Sequence, residues 1–181
     1  MKRRITFLLL ALLVFVPGPV PVFPQAYVDP SRLPRTYNVG FSIACGGTGD
    51  CVTLNLTAGN GNVTAIREIW ISQPSNQATV SIIRRSAFDT GGTGSAVTLV
   101  QSDTNDSTAN TVVTAYTAAP TPGATVGTIF SLVVTTTSTL IRDSTVANYK
   151  PILIQGTTQQ IAINVNTATT MTVNLVITET P

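Results

Sequence analysis

The amino-acid sequence predicts an all-β protein, specifically an antiparallel β-sandwich of about ten short strands with jelly-roll-like connectivity. Composition is the first observation. Val, Ile and Thr are abundant, aromatic residues make up 6% and charged residues 10% of the 181 residues, and β-branched side chains favour pleated strands over helices. The second observation is alternation: from residue 37 onward, apolar and polar residues alternate with the period of a half-buried strand. Third, clusters of turn residues separate the alternating runs.

The alternating runs define the strands in chain order. They are 38–44, 51–57, 63–72, 78–86, 96–102, 111–117, 128–135, 152–155, 160–166 and 171–178. Each run is rich in Val, Ile or Thr and is bounded by Gly, Pro, Asn or Ser, which is the pattern of a short strand between tight turns. Four separators have especially clear turn chemistry: 59–62, 73–76, 91–94 and 120–123. We find no helical period of ten or more residues between the separators.

The last two strands predict how the sheet faces differ. Ile161, Ile163 and Val165 share one face of strand 160–166, and strand 171–178 alternates in the same way. One face is therefore apolar and points inward, while the other carries Thr, Asn and Gln. Uncharged polar strands have little protection against pairing with another chain. The sequence thus predicts assembly with copies of itself.

The N-terminal segment, residues 1–26, differs from the rest of the chain. Lys2, Arg3 and Arg4 precede a run of about 12 apolar residues, too short for a membrane-spanning helix, and prolines then follow up to Ala26. This pattern is typical of a secretory signal, which contacts a membrane only transiently. The alternative is an apolar arm that docks on a neighbouring subunit. Residues 27–36, with two prolines and two arginines, are predicted to be an extended linker, and residues 37–181 a single sandwich domain.

The charge balance depends on the same N-terminal segment. The full chain carries a net charge of +2, but three of its ten basic residues lie in the leader, so seven basic and eight acidic residues remain beyond it. No basic stripe is left, and we therefore expect no nucleic-acid partner.

Cys45 and Cys51 are the two cysteines of the chain and enclose a glycine-rich loop of five residues. In an exported protein, so short a spacing predicts a local disulfide. A redox or metal-binding role would need a Cys-x-x-Cys spacing or further ligands. The pair therefore supports an exported or extracellular location.

The residues do not assemble into a catalytic set, and the sequence predicts a protein that is not an enzyme and takes no cofactor or metal. The chain has no histidine, which removes histidine-based acid/base catalysis and zinc sites. Asp89-Thr90-Gly91 matches the loop of aspartic proteases, but that chemistry needs two carboxylates that share a proton. The residue that follows, Gly92, and the segment 154–156 fit that family poorly, so we interpret the triplet as a glycine-rich hairpin loop.

Four residues form a candidate binding loop region: Trp70, Tyr116, Asp103 and Asp106. The two aromatic rings could stack on a sugar if they are exposed, although a lone Trp within 66–71 is more often a core residue. The acidic turn 103–107 offers oxygen ligands of the kind that calcium prefers, without the glycine and distant glutamate of a helix-loop-helix site. Arg84 and Arg85 are expected on opposite faces of their strand, with Glu68 or Asp89 as partners.

Parts of the chain resemble a known group of proteins. The segments that carry the resemblance are 68–72, 78–86, 89–93, 112–118, 123–127 and 154–164. They are similar to small β-sandwich proteins encoded beside the head genes of bacteriophages, which are virion surface or decoration proteins. The resemblance covers about two-thirds of the chain, excludes the leader and the Cys45–Cys51 loop, and carries no catalytic motif. It implies a virion surface role and other virion proteins as partners.

Two functional hypotheses follow from the sequence. The first is a non-enzymatic structural protein that assembles with copies of itself on a virion or extracellular surface, as a capsid, decoration or filament-type subunit. The alternative is an exported module that binds glycans or other cell-surface components. Exposure of Trp70 would favour the alternative, and burial of Trp70 would weaken it.

Overall fold

The computed structural model describes residues 33–57, 62–72, 74–144, 149–156 and 158–180. The predicted leader 1–26 and most of the predicted linker lie outside these residues. The described chain is all-β and contains no helix. Its strands are β1 (Arg35–Cys45), β2 (Gly49–Leu56), β3 (Val63–Ser72), β4 (Ala78–Arg85), β5 (Thr93–Val97), β6 (Val100–Gln101), β7 (Thr111–Ala118), β8 (Thr125–Val134), β9 (Thr139–Asp143), β10 (Ile152–Gln155), β11 (Gln160–Val165) and β12 (Thr169–Thr180).

The predicted all-β fold is confirmed, and the ten predicted strands all contain strand residues. The prediction was wrong in two details. The single predicted strand 96–102 overlaps the end of β5, which begins at Thr93 inside the predicted turn 91–94, and contains β6, and these two short strands belong to different sheets. Strand β9 was missed because its five residues bury only one large apolar side chain, Leu140, and end in Arg142 and Asp143. The apolar alternation is therefore too short to be recognised as a strand in the sequence.

The strands form two sheets packed face to face. Sheet A has the order β10-β3-β12-β1-β6, with β9 also paired to β3, and sheet B has the order β5-β7-β2-β11-β4-β8. All the pairings are antiparallel, and five of them are nested: β1 with β12, β2 with β11, β3 with both β9 and β10, and β4 with β8. Such nesting, in which a long hairpin wraps into two sheets, is the connectivity of a jelly roll.

Strands β5, β6 and β7 form an excursion between β4 and β8. Strand β6 pairs with β1 in sheet A, whereas β7 pairs with β2 in sheet B and β5 continues beyond it. The excursion therefore extends both sheets on the same side of the sandwich, where the consecutive strands β1 and β2 would otherwise be edges.

The core lies between the two sheets, as the alternation predicts. Sheet A contributes side chains such as Ile69, Ile71, Val173 and Leu175, each at most 1% exposed. Sheet B contributes Val52, Leu54, Val80, Ile82, Ile161 and Ile163, all fully buried. Burying one such aliphatic side chain stabilises the fold by about 1.5–3 kcal/mol, so the two inner faces hold the sheets together.

The predicted disulfide is confirmed and links the two sheets. Cys45 is the last residue of β1 in sheet A, Cys51 lies in β2 of sheet B, and their Cα atoms are 5.5 Å apart. Both residues belong to the buried core. A disulfide of this kind persists in an oxidising compartment, which is the setting of exported proteins.

Candidate functional site

Trp70 lies on the outer face of sheet A. Its neighbours in the strand, Ile69 and Ile71, point into the core, so alternation turns the indole outward and leaves 42% of it exposed. The indole Nε1 donates a hydrogen bond to Glu68 Oε2 over 3.1 Å. The core position that the sequence favoured for Trp70 is therefore wrong, and the alternation Ile-Trp-Ile is the signal that would have assigned it to the outer face.

The residues opposite Trp70 make this part of the face uneven. Trp70 pairs in register with Ile141 on β9 and with Asn174 on β12, and Asn174 pairs with Gly40 on β1. A Cβ atom at Gly40 would collide with Asn174 Oδ1. The missing side chain leaves a groove of about 300 Å³ that Asn174 and Val100 help to line. An exposed aromatic ring therefore lies two strands away from a small groove with amide groups.

Beyond Trp70, the edge of sheet A is apolar. Ile141 is 52% exposed, and Leu153 on β10 and Tyr149 are also exposed. The guanidinium of Arg142 lies 5.1 Å from the centre of the Tyr149 ring and donates to the carbonyl of Lys150. The cation over the ring holds the segment that precedes β10 against β9.

Tyr116 does not belong to the same site as Trp70. It lies on β7, and its neighbour Ala115 is a core residue, so the tyrosine ring is on the outer face of sheet B. The ring packs over Gly94 of β5, where a Cβ atom would come within 2.7 Å of Tyr116 Cε1. The two aromatic residues thus occupy strands on opposite sides of the sandwich and do not form one binding loop.

Asp103 and Asp106 lie in the turn between β6 and β7. Asp103 Oδ1 accepts hydrogen bonds from the backbone and side-chain amides of Asn105, over 2.9 and 3.1 Å, so this carboxylate stabilises its own turn. The turn and Leu33 line a cavity of about 410 Å³. Within the described part of the chain, no three acidic or cysteine residues come together as metal ligands. The acidic turn is accounted for as local structure.

The outer face of sheet B carries a polar cluster, which we call the Asp50 cluster: the buried residues Asp50, Arg85 and Gln160 and the partly buried residues Asp89 and Asn164. Asp50 is fully buried and forms an ion pair with Arg85 through two hydrogen bonds of 2.7 and 2.8 Å. Asn164 donates to the same carboxylate over 2.6 Å. Paired guanidinium and amide donors are what a buried carboxylate requires.

Asp89 joins this cluster from the loop that follows β4. Its Oδ1 accepts from the backbone N–H of Gly123 over 2.9 Å, and its own N–H donates to Gln160 Oε1. Burial raises the pKa of Asp89 to about 6, and the negative charge of Asp50 adds to the increase. Two carboxylates do meet here, and Asp50 is closed to solvent.

The Asp50 cluster corrects one expectation for the two arginines. Arg84 and Arg85 do point to opposite faces of β4, since Arg84 donates to Gln159 and to the carbonyl of Leu153. The partner of Arg85, however, is Asp50 rather than Glu68 or Asp89. Asp50 stands directly before Cys51, and its position inside the predicted disulfide loop concealed its role as a sheet residue.

Strand β8 is the last strand of sheet B in the described chain. It has no charged residue from Thr125 to Val134, and three of its aliphatic side chains are exposed: Val126 by 62%, Leu132 by 46% and Val133 by 48%. Its first half contains two bulges against β4, whereas its second half pairs regularly. Bulges protect an edge from foreign strands, so the regular second half is the unprotected part.

Among the residues that the structure describes, there is no helix long and apolar enough to cross a membrane. Comparisons with protein-family models, with curated proteins and with solved structures found no match to this chain.

Proposed function

We propose that the chain is a non-enzymatic structural subunit that assembles with copies of itself. The observation that carries the proposal is the second half of β8, an unbulged, uncharged edge with Leu132 and Val133 exposed. Open edges are templates for another strand, and two copies of an uncharged strand do not repel each other. Antiparallel pairing of β8 with its own copy would join two B sheets into one, as a two-fold interface does.

The setting proposed for this assembly is a virion or extracellular surface. The buried disulfide between the sheets supports an oxidising compartment, and the resemblance to phage decoration proteins supports a virion. The expected partners are copies of the chain and other virion or cell-surface proteins. An intact mass of protein from its native source tests the export route: loss of residues 1–26 supports a secretory signal, and a full-length mass supports an assembly arm.

Light scattering on the purified chain, together with a charged variant of the edge, tests self-assembly. Leu132→Lys places a charge on the regular half of β8 and should reduce the assembled mass to that of the monomer. Ile141→Lys is the matched control because Ile141 is an aliphatic residue of similar exposure, 52% against 46% for Leu132, on an edge strand of sheet A. A wild-type chain that stays monomeric at high concentration would contradict the proposal. Equal disruption of the assembly by the two variants would show that β8 is not the specific interface.

A second candidate function is glycan binding at the outer face of sheet A. It is favoured by the 42% exposure of Trp70 and by the hydrogen bond that fixes its indole against Glu68. A sugar ring stacks on an exposed aromatic face while neighbouring amides and carboxylates bond its hydroxyl groups. Asn174 lies opposite Trp70 on the neighbouring strand β12, and Glu68 lies two residues before Trp70 on β3. Both side chains are therefore placed to form such bonds.

Tryptophan fluorescence tests this second function directly, because Trp70 is the single tryptophan of the chain. Titration with soluble oligosaccharides should shift the emission of the wild type, and Asn174→Ala should weaken the response. Tyr116→Ala, on the opposite side of the sandwich, should leave it unchanged. Absence of any response across a broad glycan panel would reject this candidate and would not affect the assembly proposal.

A further inference from the structure

Two segments cross the outer face of sheet B next to the Asp50 cluster. We call them together the latch: residues 86–92, which follow β4, and residues 119–124, which precede β8. Backbone bonds between Thr90 and Thr121, of 3.0 and 2.8 Å, and from Ser86 to Ala124 join the two segments. A Cβ atom at Gly123 would overlap the backbone carbonyl of Ala87. The latch is thus a closely packed double segment.

The latch is held to the sheet through the Asp50 cluster. Asp89 Oδ1 accepts a hydrogen bond from the backbone N–H of Gly123, and the backbone N–H of Asp89 donates to Gln160 Oε1 on β11. Arg85 donates to the carbonyl of Gly123 over 3.3 Å and to the hydroxyl of Thr125. The same guanidinium therefore binds the latch and the buried carboxylate of Asp50.

The hydrogen bonds of the cluster leave a place for one proton. A carboxylate has about four acceptor positions, and Asp50 uses three of them for Arg85 and Asn164. Asp89 Oδ2 is buried without a hydrogen-bond partner among the described residues, and Asp50 is the neighbouring carboxylate whose charge acts on Asp89. A proton on Asp89 Oδ2 would fill the fourth position of Asp50 and satisfy both groups.

We propose that Asp89 and Asp50 share one proton while the latch is closed, and that loss of this proton releases the latch from sheet B. The charged groups that face Asp89 are Asp50 from β2 and Arg85 from β4. Strand β11 contributes the neutral amides of Gln160 and Asn164, and the second latch segment contributes the backbone of Gly123. With the proton the cluster is neutral; without it, two carboxylates face one guanidinium.

The pH at which the latch opens follows from the environment of Asp89. Burial and the charge of Asp50 raise its pKa, the Gly123 N–H and Arg85 oppose the increase, and the net result is a pKa of about 6. Below this pH the proton is held and the latch is closed. Above it, repulsion between the carboxylates favours an open latch, in which the outward side chains of β2 and β11 meet solvent.

Amide hydrogen exchange at Thr90, Thr121 and Gly123 tests the proposal. After correction for the intrinsic pH dependence of exchange, opening should increase about tenfold between pH 5 and pH 7.5, which is the part of the roughly hundredfold linkage between pKa values of 3.8 and about 6 that falls in this range. Asp89→Asn keeps an acceptor for Gly123 and supplies a donor to Asp50, so its latch should stay closed at both pH values. Asp103→Asn is the control and should behave as the wild type.

Carboxyl-carbon NMR of the unaltered chain provides a measurement that does not depend on a variant. Asp89 should titrate near pH 6, and the Gly123 amide resonance should move with the same midpoint. Titration of Asp89 at its ordinary value of 3.8, or an Asp89→Asn protein that keeps the wild-type pH dependence of exchange, would overturn the proposal.

Discussion

Asp50 is a fully buried carboxylate whose charge is balanced by the guanidinium of Arg85. The pair lies on the outer face of sheet B, and it is kept dry by the segments that follow β4 and precede β8. Breaking a buried pair on one side leaves the other charge without a partner, which costs more than the pair itself contributes. The two residues should therefore tolerate separate substitution poorly.

The first prediction concerns Asp50→Asn. The free energy of unfolding should fall by about 3–5 kcal/mol, because Arg85 remains buried and charged with an amide in place of its counter-ion. Urea-induced unfolding measures the change. Asp103→Asn, at an exposed turn position, should change the stability by less than about 1 kcal/mol. Equal effects of the two variants would show that the ion pair contributes nothing specific.

The second prediction concerns stability against pH. The pKa of Asp89 is raised in the folded protein, from 3.8 to about 6, so the folded state binds the proton more tightly than the unfolded state. The stabilisation by this proton is complete below pH 3.8 and is lost as the pH rises through about 6. Asp89→Asn should raise the free energy of unfolding at pH 7.5 by about 1–2 kcal/mol, a value reduced for the partial exposure of Asp89.

Thermal unfolding followed between pH 4 and pH 8 provides the measurement for this second prediction. The stability difference between Asp89→Asn and the wild type should grow with pH and level off above pH 7. A difference that is constant across the range would assign the effect to packing rather than to charge.

At the scale of elements, the latch depends on close backbone approach. Gly123 has no room for a Cβ atom because the carbonyl of Ala87 occupies that position, whereas a Cβ atom at Gly127, four residues later, would meet nothing within 4 Å. The two glycines therefore form a matched pair of test positions at the end of the latch and in the adjoining strand β8.

The third prediction is that Gly123→Ala destabilises the protein by about 1–3 kcal/mol through overpacking against the backbone. Gly127→Ala should be neutral or should stabilise by about 0.4–1 kcal/mol, because alanine restricts the unfolded chain. Chemical unfolding of both variants measures the difference. If Gly127→Ala were the more damaging change, the packing assigned to the latch would be wrong.

The fourth prediction concerns the link between the sheets. Replacing Cys45 and Cys51 together by serine should lower the free energy of unfolding by about 2 kcal/mol, the loop-closure value for so short a loop, plus the cost of burying two hydroxyls. Unfolding with and without a reductant measures it. The reductant should destabilise the wild type and leave the double variant unchanged; a wild type indifferent to reduction would contradict the expected contribution.

The elements themselves were largely predictable, because apolar alternation has a period that residue type reports directly. Strand β11 shows this, since Ile161 and Ile163 are fully buried as their spacing requires. Strand order was not predictable, because the nested pairing depends on contacts between residues far apart in the chain. The Asp50 cluster was not predictable for the same reason: Asp50, Arg85 and Gln160 meet only when β2, β4 and β11 lie side by side. Trp70 was expected in the core because tryptophan is usually buried, although its alternation with the buried Ile69 and Ile71 would have assigned it to the outer face.

At the scale of the whole molecule, the jelly roll joins the first and last strands of the described chain. Strand β12 is a central strand of sheet A and pairs with β1 on one side and β3 on the other. Its Glu179 is 1% exposed and accepts hydrogen bonds from the backbone amides of Thr111, over 2.6 Å, and Asn110, over 3.0 Å. The end of β12 thus also contacts the start of β7, across the sandwich in sheet B.

The fifth prediction follows from this central position. A chain that ends at residue 168, and so lacks β12, should not reach the native fold, because β1 and β3 lose their shared partner and the inward residues Val173 and Leu175 leave the core. As a control, residues 93–97 replaced by glycine and serine should fold, because β5 is an edge strand with four of its five residues exposed. Amide NMR dispersion and protease resistance distinguish the outcomes. A native-like spectrum for the shortened chain would mean that sheet A forms without its central strand, and the nested pairing would then not be the basis of the fold's stability.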